Sequence, residues 1–161
     1  MQLVQWPYTW MATATRSRPK LTIAYPGAKG RLARKLGTEM PQSGRWYVEP
    51  FAGRGDVFFE AARSLHFSQW WLNDTATAPF FDTLMRLGTG SLHVPERTRH
   101  AFELYRDLFT TDNPHAILLE PYLTFSGGGY KRAGFGSRNG PSSASYARTL
   151  KACAELLANR Q

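Results

Sequence analysis

With 161 residues the chain suits one compact domain and falls short of two. No stretch approaches the roughly 20 apolar residues of a membrane helix, and residues 1–10 lack the charged start and apolar run of a secretion signal, so a soluble cytoplasmic protein is expected. A single cysteine, Cys153, excludes an internal disulfide, and a net charge of +8 favours a polyanionic partner. That charge is divided as +5 over residues 1–60, −2 over 61–120 and +5 over 121–161.

Residues 1–20 read as a loose leader. They hold the aromatics Trp6, Tyr8 and Trp10 and the basic run Arg16, Arg18 and Lys20, with no periodic pattern. Leu21 to Tyr25 is extended in character and ends at the turn Pro26-Gly27. Lys29 to Met40 predicts a basic helix with Leu32 and Leu36 on one face. Trp46-Tyr47-Val48 is an aromatic and β-branched run that predicts a strand. A turn, Glu49 to Gly55, follows, and then a helix from Asp56 to Leu65. Gln69 to Leu72 predicts a second strand ending at Asn73-Asp74, and Pro79 to Leu87 a helix. Strand, glycine turn, helix, strand and acid in this order form half of a doubly wound α/β unit.

The second half predicts helices. Ala101, Leu104, Tyr105 and Leu108 recur at helical spacing between Glu96 and Phe109. Asp112-Asn113-Pro114 is a helix start, and Pro121 should bend or end the helix that follows. Ser126 to Arg132 is a glycine-rich basic loop, continued from Ser137 to Ser143, and a last helix runs from Ser145 or Tyr146 to Asn159. Cys153 lies there between Ala152 and Leu156 and reads as a buried thiol.

The glycine turn is the first chemical signal. Glycine lets a backbone approach a ligand closely, and open α/β sheets bind ligands beyond the carboxyl ends of their strands. Asp74 ends the next strand about 20 residues later, where a carboxylate can hold ribose hydroxyls. Spacing alone leaves open whether this is a nucleotide-like site or a tight strand-to-helix connection. Pro26-Gly27-Ala28-Lys29-Gly30 lacks the order of a phosphate-binding P-loop, and the third glycine of a dinucleotide fingerprint is missing. His66, His93, His100 and His115 share no ligand spacing, so no metal is expected.

Three ordered strings go further. Ala24-Tyr25-Pro26-Gly27-Ala28-Lys29, Tyr47 through Gly55 and Leu72-Asn73-Asp74 resemble successive motifs of the Dam-like (D12 class) adenine-N6 DNA methyltransferases. Tyr122-Leu123-Thr124-Phe125-Ser126-Gly127-Gly128-Gly129-Tyr130 is similar to that family's target-recognition region. The resemblance spans residues 21–160. It implies a partial doubly wound, Rossmann-like fold with a helical recognition insertion, divided as a cofactor-binding part at 21–92 and a DNA-recognition part at 93–161. It implies S-adenosylmethionine as methyl donor and double-stranded DNA as partner.

By position, Tyr25 and Lys29 would touch the methionine part of that cofactor. Glu49, Pro50, Phe51, Ala52, Gly53 and Gly55 would wall it, and Asp74 would hold its ribose. Lys131, Arg132 and Arg138 would meet phosphates or guanine edges. Arg54 and Asp56 fall at variable positions of the motif and receive no role.

Methylation of adenine N6 needs an extruded base and acceptors on the amino group, because the nitrogen lone pair is delocalised into the ring. The family supplies them with an Asp-Pro-Pro-Tyr type motif beyond the recognition region. Residues 1–161 hold no such segment, so no catalytic residue is assigned, and a second chain carrying one is an expected partner. Glu120-Pro121-Tyr122 is a degenerate look-alike; it lacks the Asp and one proline and aligns with an ordinary helix. Without further strands, Trp46 to Val48 would be an exposed apolar edge. Three readings stay open: an incomplete adenine methyltransferase, a non-catalytic DNA- or cofactor-binding module, and a methyltransferase of another substrate class.

Overall fold

The computed structural model describes residues 21, 23–88, 92–136 and 140–160. The expected leader at residues 1–20 and Arg138 lie outside the described residues. The architecture is mixed α/β: helix α1 (Ala33–Glu39), strand β1 (Ser43–Glu49), helix α2 (Asp56–Ser64), strand β2 (His66–Leu72), and helices α3 (Ala78–Leu87), α4 (Arg99–Phe109), α5 (Pro114–Leu123) and α6 (Ser143–Ala158).

β1 and β2 pair in parallel, with Tyr47 opposite Trp70 and Glu49 opposite Leu72. Parallel neighbours need a crossover, and α2 supplies it. Both strands start earlier than their aromatic runs suggest, at Ser43 and His66. One sheet face is buried by an aromatic cluster. The Tyr47 and Trp70 rings lie 4.8 Å apart, Phe58 of α2 meets Trp70 edge-on at 5.6 Å, and Arg160 stacks over Trp70 from beyond α6. Trp46, Val48 and Trp71 on the other face are about half exposed. Leu21 and Ile23 enter the core, and the described residues of their segment belong to no strand.

The helices of the second half close the other side. α5 buries Ala116, Leu118, Leu119, Pro121, Tyr122 and Leu123, apolar residues spread around most of its circumference, and so packs inside the molecule. Asn113 caps it, its Oδ1 accepting from the N–H groups of His115 and Ala116. Tyr146 of α6 stacks on Tyr122 at 4.9 Å and donates its hydroxyl to the Leu118 carbonyl. One continuous core runs from Leu21 to Leu157, so residues before and after position 92 share it.

Two expectations need correction, and the glycine-rich stretch gains local structure. The basic helix is shorter than Lys29–Met40, because residues 29–32 form a turn in which Leu32 and Ala33 N–H both bond the Lys29 carbonyl. Its packing face is Ala33 and Gly37, whereas Leu32 and Leu36 are exposed. The small residues let α1 lie close to α2, where Glu60 sits against Gly37. Pro121 does not end α5, which runs on to Leu123. Proline removes a single N–H donor, while Tyr122 and Leu123 are fully buried and Thr124 closes the helix through both its N–H and its hydroxyl on the Glu120 carbonyl. The glycine-rich stretch is folded over 124–136: an antiparallel bridge joins Thr124 to Phe135, and Tyr130 packs between Phe102 and Phe109.

Candidate functional site

The segment after β1 must cross from a strand to a helix in six residues. Gly53 and Gly55 permit this by adopting the left-handed region at φ 55 and 80. The two strand ends are then laced together. Asn73 N–H extends the ladder to the Glu49 carbonyl, Ala52 N–H reaches the Asn73 carbonyl, and the Asn73 side chain reaches the Pro50 carbonyl.

Asp74 is the knot of this region. Its Oδ2 accepts the Gly53 N–H at 2.9 Å, and its Oδ1 accepts the N–H groups of Ala76 and Thr77 at 2.9 and 3.0 Å. The Thr77 hydroxyl in turn donates to the Gly53 carbonyl. Burial alone would raise the Asp74 carboxyl, but these N–H donors hold it below its ordinary value.

A cavity of about 280 Å³ opens against the turn. Tyr25, Lys29, Glu49, Phe51, Ala52, Gly53 and Asp74 all line it, together with Arg54, Asp56 and Val57. Seven of the nine residues proposed from the sequence for one ligand therefore meet at one cavity. Pro50 and Gly55 do not line it. Pro50 contributes its carbonyl to the lacing, and Gly55 faces the core, where a Cβ would stand 2.9 Å from the Phe59 ring and 3.1 Å from Phe81. Phe51 is almost wholly exposed at the rim. Lys29 donates Nζ to the Gly27 carbonyl at 2.7 Å. A second, more apolar cavity of about 340 Å³ shares Ala52 and Asp74 and extends along Trp70, Leu72, Phe81 and Met85.

Glu49, Asp56 and Asp74 bring three carboxylates to the cavity, beside the cations Lys29 and Arg54. Burial, reinforced by the neighbouring Asp56 charge, raises the Glu49 carboxyl against the lowering effect of the Tyr47 hydroxyl, which donates to it at 2.6 Å. Burial also raises Asp56, offset in part by the N–H groups of Lys29 and Gly30. One Asp56 oxygen, Oδ1, is buried without a hydrogen-bond partner among the described residues.

Sequence reasoning missed Arg54. It is 6% exposed, stacks over Phe80 at 4.6 Å and Tyr25 at 5.7 Å, and donates Nη2 to Glu120 Oε2 at 2.6 Å. That partner lies 66 positions away, so no local pattern could show it. Thr77 was legible in principle, since an aspartate at a strand end readily turns its side chain back onto the backbone a few residues on, as an Asx turn. The look-alike Glu120-Pro121-Tyr122 is structural, with Glu120 bound to Arg54 and the buried Tyr122 donating its hydroxyl to the Pro95 carbonyl.

Lys131 and Arg132 are exposed in the turn after Tyr130. Cys153 is fully buried in α6, and burial pushes its thiol up, away from reactivity. Among the described residues no three His, Cys, Asp or Glu side chains gather as metal ligands, and no helix is long and apolar enough to cross a membrane.

No curated protein and no solved structure matches the chain. Residues 25–80 match the family model described as D12 class N6 adenine-specific DNA methyltransferase. Every residue lining the 280 Å³ cavity lies within that stretch, over which the chain is similar to that family.

Proposed function

We propose that this chain is the S-adenosylmethionine-binding and DNA-recognising portion of an adenine-N6 DNA methyltransferase with a Rossmann-like core. The observation that carries the reading is the meeting of Tyr25, Lys29, Glu49, Ala52, Gly53 and Asp74 at one cavity beyond the carboxyl end of β1. The donor set fits such a cofactor. Asp74 Oδ2 accepts one N–H and keeps a lone pair for a ribose hydroxyl. The unpartnered Asp56 oxygen and Glu49 offer acceptors for an ammonium group, and Lys29 offers a cation for a carboxylate. The bound cofactor would supply an electrophilic methyl group on a sulfonium; the chain's own residues would hold and orient it.

Lys131 and Arg132, and Arg138 in the same stretch of sequence, are the proposed contacts to double-stranded DNA. Residues 1–161 contain no Asp-Pro-Pro-Tyr segment, and Glu120-Pro121-Tyr122 is committed to packing. Methyl transfer therefore calls for such a segment from elsewhere, a second chain included. The exposed, basic Lys131 and Arg132 also fit a second reading, a module that binds cofactor and DNA without catalysis.

Incubation of the chain with tritiated S-adenosylmethionine and duplex DNA tests both readings. Cofactor binding without label in adenine is expected from residues 1–161 alone, and label appearing once a segment carrying the motif is added selects the enzymatic reading. Label transferred by residues 1–161 unaided would overturn the assignment of catalysis elsewhere.

A further inference from the structure

The Arg54–Glu120 pair stands between the two regions assigned above to different ligands. On one side Arg54 lines the cavity, follows Gly53 directly in the chain and lies over the Tyr25 ring. On the other, Glu120 projects from α5 beneath the 124–136 loop, so close that a Cβ at Gly129 would stand 3.1 Å from its Oε1. A second approach lies alongside. Gly127 rests on the backbone of Ala24 and Tyr25 with no room for a Cβ, which would collide with the Ala24 carbonyl. Ser126, just before it, is held in the left-handed region at φ 52, a conformation that non-glycine residues adopt only when their surroundings impose it. The loop is thus seated on the first wall of the cavity, and the ion pair bolts the second wall to the helix that carries the loop.

Burying a charge pair stabilises little by itself; its better-attested use is to fix one arrangement among several. Arg54 has two further buried nitrogens, Nε and Nη1, without hydrogen-bond partners among the described residues, which suits orientation better than stability.

We propose that Arg54 and Glu120 are positioning residues that fix the 124–136 loop relative to the cavity, so that a ligand held in the cavity strengthens DNA binding at the loop. This rests on the function proposed above. Neither residue touches DNA; both act through Tyr25, Gly127 and Gly129.

The test measures duplex affinity of the 161-residue chain by fluorescence anisotropy at fixed salt, with and without saturating S-adenosylmethionine, using a labelled duplex of mixed sequence. The wild-type chain is expected to bind DNA at least about fivefold more tightly with the cofactor present. The double variant Arg54→Met/Glu120→Met removes both charges together, and Glu120→Gln removes one while keeping an acceptor. In a variant whose thermal melt shows a folded chain, the ratio should fall to within about twofold of one. A merely structural pair would leave the ratio unchanged in folded variants, and that result, or a ratio near one in the wild type, overturns the inference while leaving the proposed function standing. Loss of folding in both variants would assign the pair to stability and also overturn it. A wild-type chain that binds neither ligand removes the proposed function, and this inference with it.

Discussion

Asp74 does two jobs at one position: it ties the turn after β1 to the turn after β2, and it presents a carboxylate at the cavity. Its depressed native pKa means that the stability it contributes is present above the ordinary carboxylate value, near about 3.9, and is lost as pH falls through the lower native value. Glu49 behaves oppositely. Its raised native pKa favours the neutral form, so its ionised form costs stability as pH rises through the native value. Glu49→Gln should therefore melt higher than wild type at pH 7–8 and lose that advantage as pH falls toward about 4; equal shifts at both pH values would contradict this. Gly55 combines φ 80 with a core-facing Cα, so Gly55→Ala should cost about 2–4 kcal/mol in urea denaturation, from backbone strain and overpacking together. Gly53, Gly55 and Asp74 were legible because their chemistry is local: a turn needing positive φ, and an acid closing a strand. Arg54 and Glu120 were not, since a bond between residues 54 and 120 exists only once α5 has packed beside the sheet.

At the scale of elements, the cap of α5 and the periodic helices were readable, whereas the caps Thr98 of α4 and Ser142 of α6 were not. Asn113 opens α5 and Pro114 occupies its first turn, both from residue type alone. Asn113→Ala should lower stability by about 1 kcal/mol, with Asn113→Gly costing only a few tenths. Equal losses for the two would mean the side-chain cap contributes nothing. What misled was reading each helix by itself. Leu32 and Leu36 share a helical face, but α1 meets α2 through Ala33 and Gly37, because close approach favours the small residues. Pro121 breaks one backbone bond, and the burial of the residues after it decides where α5 stops.

For the whole molecule, the parallel β1–α2–β2 unit followed from alternating strand and helix signals, and the single core shared across position 92 did not, because its contacts join residues far apart in sequence. The exposed sheet face follows from the same topology. Trp46, Val48 and Trp71 form an apolar surface beside strands that have no further partner among the described residues. Val48→Lys should reduce concentration-dependent association in sedimentation experiments and leave the melting temperature within a few degrees; unchanged association would place the adhesive surface elsewhere. The central claim is that the cavity beyond β1 holds the methyl donor through Asp74. Calorimetric titration of the chain and of Asp74→Ala with S-adenosylmethionine tests it most directly. The account predicts saturable binding by the wild type and at least about tenfold weaker binding by a folded variant, about 1.4 kcal/mol; no binding by the wild type, or equal affinity in the two, would contradict it.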